Sequence, residues 1–157
     1  MSVSCGQSPF VLVKVVLSNL SKKNRDSSFE SLCLLFAQYG SEVSSFALQA
    51  LAQGLDLRLT ESTHKVKRKL FLDLGCFVAE KGQIDCASCL LPASEEVFYS
   101  SGGVNQVFDA FAQSSRSAAV VVVSSLLFSS KTLVRESCLA FLIENQHKVP
   151  DHLSFYF

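Results

Sequence analysis

The chain carries little charge for its length. Charged residues make up 18% of the 157 positions, whereas about 25% is typical of a globular domain. Lys and Arg together number 14, and so do Asp and Glu, which gives a formal net charge of zero. Domains that bind polyanions usually have an excess of basic residues. The composition therefore disfavours nucleic acid as the main partner, but it does not exclude a local basic patch.

The chain also lacks a long hydrophobic run. The longest apolar stretches are 11–17, which Lys14 interrupts, and 118–128, which Ser124 and Ser125 interrupt. Both are shorter than the roughly 20 apolar residues that a membrane-spanning helix needs. No basic region precedes an apolar core at the N-terminus, as it would in a signal peptide. We therefore expect an intracellular protein, cytoplasmic or nuclear, with no membrane partner.

Catalytic motifs are missing as well. The three histidines, His64, His147 and His152, form no recognised nucleophile motif with a Ser or Cys and a carboxylate. Gly102 and Gly103 match neither a phosphate-binding loop nor a dinucleotide fingerprint, and we interpret them as a turn ahead of a helix. The sequence therefore predicts a protein that is not an enzyme and has no cofactor.

The cysteines predict free thiols. Cys33 and Cys138 fall on apolar helical faces, where a thiol behaves as a small hydrophobe. This argues for a reducing compartment and against a disulfide framework. The six positions are Cys5, Cys33, Cys76, Cys86, Cys89 and Cys138.

Cys86 and Cys89 form a single C-x-x-C pair. A redox motif of this kind lies in a βαβ pattern, but the segment before Cys86 is predicted to be helical. A zinc site needs two further ligands, and 57 residues lie between Cys89 and His147, where a zinc finger has about 12–15. We therefore expect no metal, with zinc binding and redox chemistry as the alternatives to a structural role.

Apolar residues are abundant, at 48% of the chain, and the mean hydropathy is +0.30. One apolar pattern with the helical spacing i, i+3, i+4, i+7 occurs twice, 75 positions apart, and each copy ends in Phe-Ala-Gln. A weaker match lies between them at Phe77. Periods near about 40 residues are typical of helical-repeat arrays. The copies are Phe29, Leu32, Cys33 and Phe36, and Val104, Val107, Phe108 and Phe111.

The first copy predicts a helical hairpin. Ser27 and Glu30 have the spacing of a capping box, which marks a helix start, and Gly40 lies where that helix would end. The following helix has inward apolar residues at 43, 46, 47, 50 and 51, with Gly54 beyond it. Two helices joined by a short turn of this kind form a hairpin.

Further helices are predicted over 63–79, where Gly82 follows, and over 84–91. The second of these should stop before Pro92, because the residue preceding proline avoids the α region. Ser94, Glu95 and Glu96 would then cap another short turn. Later helices are expected over 104–113, over 118–128, and after Ser130 with 134, 138, 141 and 142 inward.

Two segments leave the type of structure open. Residues 10–20 are apolar and β-branched, which suits a helix or a buried strand equally. Residues 120–123 are four consecutive valines and give the strongest strand signal in the chain. We favour a helix over 118–128 because the repeated pattern predicts one there.

This arrangement of paired helices with glycines at the corners resembles the armadillo/HEAT class of helical repeats. The resemblance covers most of 27–146 and implies an all-α fold, a short α-solenoid of stacked helical hairpins in one domain, 1–157. Its units would be about 27–54, 63–92 and 103–146. A non-repeating helical bundle is the alternative.

The end of the sequence suggests one more helix at Pro150, followed by the aromatics Phe155, Tyr156 and Phe157. Termini are usually polar, so these aromatics either dock onto the last repeat or belong to a longer array. A fragment or short isoform of a longer protein is therefore a further hypothesis.

The resemblance also implies a scaffold that binds a protein partner along one row of helices, since that row exposes an extended surface. The candidate contact residues are the outward positions of the second helix in each unit. They are Ser44, Gln49, Gln53, Ser117 and Ser124.

A basic cluster supports a different function. Lys65, Lys67, Arg68 and Lys69 follow His64 and could contact phosphate in a nucleic-acid-associated adaptor. The alternative interpretation is the solvated face of a helix, since Val66 and Leu70 supply the inward side. The sequence names no particular partner and no oligomeric state.

Overall fold

The computed structural model describes residues 8–60, 64–81 and 86–145, without the side chain of residue 86. Within these residues the fold is all-α, with eight α-helices, one 3₁₀-helix and no strand. The helices are α1 (Pro9–Ser18), α2 (Arg25–Tyr39), α3 (Ser41–Ala52), α4 (Lys65–Glu80), α5 (Cys86–Ser101), α6 (Val104–Ala112), α7 (Arg116–Ser124) and α8 (Thr132–Glu144), and the 3₁₀-helix η1 (Ser125–Phe128) follows α7.

Both ambiguous segments are helical. In α1 the Ser8 hydroxyl accepts a hydrogen bond from the backbone N–H of Phe10 and Pro9 occupies the first turn, where its missing N–H costs nothing. In α7 the Ser115 hydroxyl accepts from the N–H of Ala118 at 3.1 Å. Hydrogen bonds of this kind cap the start of a helix, because they satisfy backbone N–H groups that have no partner within the helix. Residues 120–123 therefore lie in a helix, and the strand alternative is wrong.

The start of α2 corrects the predicted capping box. The helix begins at Arg25, with Asn24 preceding it, so Ser27 already lies inside the first turn. Asn24 fixes the approach instead: its Oδ1 accepts from the N–H of Ser21 at 2.7 Å and its Nδ2 donates to the carbonyl of Asn19 at 2.6 Å. Gly40 ends the helix as predicted, with φ of +87°, a conformation that favours glycine.

Helix α5 corrects the predicted stop before Pro92. It runs on to Ser101 with Pro92 inside it. Proline has no N–H that could donate to the carbonyl of Ser88, and a proline inside a helix destabilises it by about 3 kcal/mol. Packing explains the continuation, because the residues after Pro92 are largely buried and α5 contacts α3, α7 and η1. Ser94 therefore caps no new turn, and its hydroxyl accepts a hydrogen bond from the Ser125 hydroxyl at 3.0 Å.

The remaining boundaries agree with prediction to within a few residues. Helices α3, α4, α6 and α8 lie where the periodicity places them, and the predicted helix over 118–128 divides into α7 and η1. The predicted features at Gly82, at Pro150 and in the terminal aromatics lie outside the described residues.

The helices pack in two rows. Helices α1, α3, α5 and α7 contact one another in that order and form what we call the odd row. Helices α2, α4, α6 and α8 contact one another in the same way and form the even row. Each helix also contacts its successor, so the chain alternates between rows.

Two pairs of positions that the sequence pattern relates are buried in the core. Phe36 in α2 and Phe111 in α6, 75 positions apart, are both buried, and so are Leu32 and Val107. The contacts that α1 to α4 make among themselves are matched by those among α5 to α8. The main contact between the two halves is that of α3 with α5, and α4 also packs on α7.

The segment between α3 and α4 packs against the end of α5. Leu55 and Leu57 are buried. The Ser100 hydroxyl donates to the carbonyl of Leu55 at 2.5 Å, and the Ser101 hydroxyl accepts from the N–H of Leu57 at 2.9 Å. Because its backbone polar groups are paired in this way, the loop can be buried without leaving unsatisfied donors.

Candidate interaction surface

Of the three contact residues predicted on α3, two lie at the surface. Gln49 and Gln53 are exposed. Ser44 is only 1% exposed, and its hydroxyl donates to the carbonyl of Gly40 at 3.2 Å. The prediction that Ser44 faces outward is therefore wrong, because the apolar faces of α3 are broader than the sequence pattern indicated.

The two residues predicted on α7 also differ from each other. Ser117 is exposed, whereas Ser124 is half-buried. The Oγ atom of Ser124 is enclosed and has no hydrogen-bond partner within the described residues. The predicted shared outward face of these serines is therefore not formed, because Ser117 is exposed and the Ser124 hydroxyl is enclosed.

The predicted basic cluster is divided among several local contacts. Lys67 Nζ donates to the carbonyl of Gln53 at 3.1 Å, and Arg68 Nε donates to the carbonyl of Leu57 at 3.0 Å. Lys69 Nζ lies 3.1 Å from Oδ1 of Asp73, and Lys65 is exposed. Two of these four cations therefore hold α4 to the segment that precedes it, and a third pairs within α4 itself.

The carboxylate of Asp73 connects two helices. Its Oδ2 lies 2.8 Å from Nη1 of Arg25 on α2, and its Oδ1 pairs with Lys69 on its own helix. All three side chains are partly exposed or exposed. The pairing fixes α2 against α4 in the even row, away from the grooves described below.

Two depressions lie on the odd row, on either side of Phe46 in α3. The first, which we call the Glu42 groove, has a volume of about 400 Å³. The second, which we call the lysine groove, has a volume of about 340 Å³. Phe46 lines both, so its half-buried ring forms a ridge between them.

The Glu42 groove combines hydroxyl, amide and carboxylate groups with one aromatic wall. Helix α3 contributes Glu42, Ser45 and Gln49, α1 contributes Phe10, and α5 contributes Ser88. The rings of Phe10 and Phe46 meet edge to face with centroids 5.1 Å apart, a geometry that stabilises aromatic pairs. The groove therefore has one apolar side and several hydrogen-bonding groups.

The lysine groove has an apolar floor and two cations. Leu17 and Leu20 come from α1 and the residues after it, Leu51 comes from α3, and Lys14 and Lys67 stand at the sides. Lys14 Nζ lies 6.0 Å from the centroid of the Phe46 ring, which is within the range of a cation–π contact. Neither lysine pairs with a carboxylate anywhere in the part of the chain that the structure describes.

Nothing in the sequence marks the centre of this surface as a binding site. The helical spacing predicts Phe46 on the inward face of its helix, where its ring is partly buried, and it leaves the type of structure around Phe10 and Lys14 open. A helical wheel of α1 would have shown Lys14 one turn beyond Phe10, on the same face. The contact of α1 with α3, which brings both residues to Phe46, has no signal in the sequence.

The thiols nearest the core are poor nucleophiles. Burial raises the pKa of Cys138 to about 12. Burial likewise raises the pKa values of Cys33 and Cys76 to about 11, with smaller opposing effects of Lys81 and Lys69. A thiol rather than a thiolate is present at neutral pH, and thiols react slowly.

No group of three or more His, Cys, Asp or Glu side chains that could hold a metal ion occurs among residues 8–60, 64–81 and 86–145. His147, His152 and the side chain of Cys86 lie outside the described residues. None of the described helices is long and apolar enough to cross a lipid bilayer.

Comparison with protein-family models, with curated proteins and with solved structures found no match to this chain.

Proposed function

We propose that this protein is a non-enzymatic interaction scaffold, built as a short α-solenoid, whose partner protein binds across α1 and α3 at the Phe46 ridge. The observation that carries the proposal is the pair of grooves that flank one half-buried aromatic ring on the odd row. Concave sites with an apolar wall and a few polar groups are the usual form of binding sites.

The packing of the helices supports the solenoid. In such a stack each unit contacts only its neighbours, and here neither α1 nor α2 makes a substantial contact with α7 or α8 within the described residues. A closed bundle would bring its first and last helices together. The equivalent burial of Phe36 and Phe111 also supports repeated units.

The exposed apolar residues support an interaction role. Phe128, Leu133 and Ile143 near the end of the described chain are more than half exposed, and Val15 on α1 is 51% exposed. Large exposed apolar patches on a protein surface mark sites of association. These residues lie on or beside the outermost described helices of the two rows, as they would in a stack with open ends.

The nucleic-acid adaptor receives less support. Binding to a polyanion needs several cations that are free to contact phosphates, whereas Arg68 donates to the carbonyl of Leu57 and Lys69 pairs with Asp73. Steeply salt-dependent binding of single- or double-stranded DNA or RNA, lost when Lys65 and Lys69 are replaced by Gln, would favour that function instead.

The test compares two glutamine positions on opposite rows. Gln49→Arg places a large cation in the Glu42 groove, whereas Gln38→Arg makes the same change on the exposed surface of α2. Wild-type protein and both variants are immobilised and exposed to extracts of cells that express the protein. Proteins retained by each are then quantified by mass spectrometry.

We expect at least one protein to be retained by the wild type and by Gln38→Arg, and its recovery to fall about tenfold or more with Gln49→Arg, as at a binding hot spot. Equal losses for both variants would place the contact elsewhere. Retention of no protein by any of the three would contradict the scaffold function itself.

A further inference from the structure

The lysine groove carries two cations. Lys14 and Lys67 approach it from two different helices, and neither has a carboxylate partner among the described residues. The chain as a whole is electrically neutral. Two ammonium groups that pair with no carboxylate in the described part of the chain therefore favour a local positive potential beside one groove, which the composition does not predict.

The floor between the lysines is apolar. Leu17, Leu20 and Leu51 line it together with the edge of Phe46. Leu51 is 2% exposed and belongs to the core, while Leu17 and Leu20 are half-buried. An aliphatic side chain entering from a partner would remove this floor from water, which is favourable in proportion to the area covered.

The two lysines are held differently. Lys67 is half-buried and donates one hydrogen bond to the carbonyl of Gln53, at the end of α3. An ammonium group has three donors, so two are left for a ligand. Lys14 is exposed and lies over the Phe46 ring. A carboxylate between them would gain charge-assisted hydrogen bonds, which are stronger than neutral ones.

From this arrangement we propose that the lysine groove binds an acidic–aliphatic segment of the partner protein. A leucine-like side chain covers Leu17 and Leu20, and a neighbouring Asp or Glu pairs with Lys14 and Lys67. The inference rests on the proposed scaffold function and specifies the chemistry of the partner. A peptide is favoured over a bare anion because the apolar floor contributes nothing to the binding of a phosphate.

The test uses two synthetic probes with the same apolar centre. One is the blocked peptide Gly-Asp-Leu-Leu-Glu-Gly, and the other is Gly-Lys-Leu-Leu-Lys-Gly. Each is titrated into the isotope-labelled full chain, and binding is followed by amide chemical shifts. We expect the acidic peptide to shift amides of α1 and α3 around Phe46, more weakly at higher salt, and the basic peptide to leave them unchanged.

Two variants of equal net charge isolate the groove. Lys14→Glu/Lys67→Glu reverses both groove cations, while Arg116→Glu/Lys131→Glu makes the same change in charge at exposed positions near α7 and α8. We expect the groove variant to weaken binding of the acidic peptide about tenfold or more and the control variant to bind as the wild type does. Lys14→Met/Lys67→Met keeps the aliphatic stems and should weaken binding as well.

The inference is overturned if both peptides bind equally, if neither binds, or if the groove and control variants lose the same affinity. It is also overturned if inorganic phosphate or phosphatidylserine vesicles shift the same amides while the acidic peptide does not. Each of these results leaves the comparison of Gln49→Arg with Gln38→Arg intact, because that comparison concerns the other groove and an endogenous partner.

Discussion

Helices α4 and α6 of the even row approach each other closely at Gly75, and this contact gives a quantitative test of the packing. A Cβ atom added at Gly75 in α4 would lie 2.6 Å from Cε1 of Phe111 in α6. Ordinary van der Waals contacts begin at 3.4 Å, so the ring would have to move by about 0.8 Å. Phe111 is 1% exposed and packs edge to face on Phe71 with centroids 5.7 Å apart.

Two opposing effects determine the outcome of Gly75→Ala. Alanine is favoured over glycine inside a helix by about 1 kcal/mol, whereas overpacking a dense core costs about 1–3 kcal/mol. Because Phe111 is confined on both sides, we expect the second effect to prevail and the free energy of unfolding to fall by about 1 kcal/mol. That corresponds to a decrease in Tm of roughly 2–4 °C for a chain of this size.

A double-mutant cycle measured by urea denaturation identifies the cause. In a Phe111→Leu background the ring is gone, so Gly75→Ala should become neutral or stabilising, with a coupling energy of about 1 kcal/mol or more. Phe36→Leu removes the equivalent ring of the first half and serves as the matched control, in which the effect of Gly75→Ala should be unchanged. Equal effects of Gly75→Ala in all three backgrounds would refute the proposed contact.

Two further predictions concern the thiols and the even row. Burial raises the pKa of Cys138 from 9.0 to about 12 in the folded chain. Between pH 9 and 12 the unfolded chain therefore loses a thiol proton that the folded chain keeps. The contribution of this thiol to the free energy of unfolding is complete below pH 9 and should decline over that range by up to about 1.4 kcal/mol per pH unit. Chemical denaturation of Cys138→Ala across this range should show a shallower decline, and an unchanged slope would contradict the assignment. Asp73→Asn should lower the free energy of unfolding by about 1 kcal/mol, because Arg25 and Lys69 lose their shared carboxylate. This loss of stability should become smaller in high salt, which screens the ion pairs. A loss that does not change with salt would mean that the charge of Asp73 does not contribute to stability.

Much of the helical framework follows from local sequence patterns. Apolar residues at i, i+3, i+4 and i+7 identify α2 and α6 because a helix turns once in 3.6 residues and brings them to one face. Gly40 marks a helix end because its positive φ strains any residue with a side chain. Each of these signals depends on residues that lie within a few positions of one another in the chain, so the sequence alone is enough to identify it.

The predictions that proved wrong have different physical causes. Pro92 is a strong local stop signal, but burial of α5 against the distant helices α3 and η1 outweighs it. Ser27 resembles an N-cap, but the Asn24 side chain accepts from the N–H of Ser21 and donates to the carbonyl of Asn19, and the helix starts directly after Asn24. Phe46 packs against the core, as its helical spacing predicts, but its ring is only partly buried and meets Phe10 of α1.

The candidate surface lies where the two halves of the chain differ. Several buried apolar positions of α2 and α3 have a buried apolar residue 75 positions later, as Phe36 and Phe111 or Leu51 and Leu126 do. The groove positions differ: Val121 stands 75 positions after Phe46, and Ser117 stands 75 positions after Glu42. An aromatic ridge and a groove carboxylate therefore occur in the first half without a counterpart in the second. If positions 46 and 42 only had to stabilise the stack, Val and Ser would be adequate there, as they are at positions 121 and 117. The difference supports placing the partner of the proposed scaffold on α1 and α3 rather than along the whole odd row.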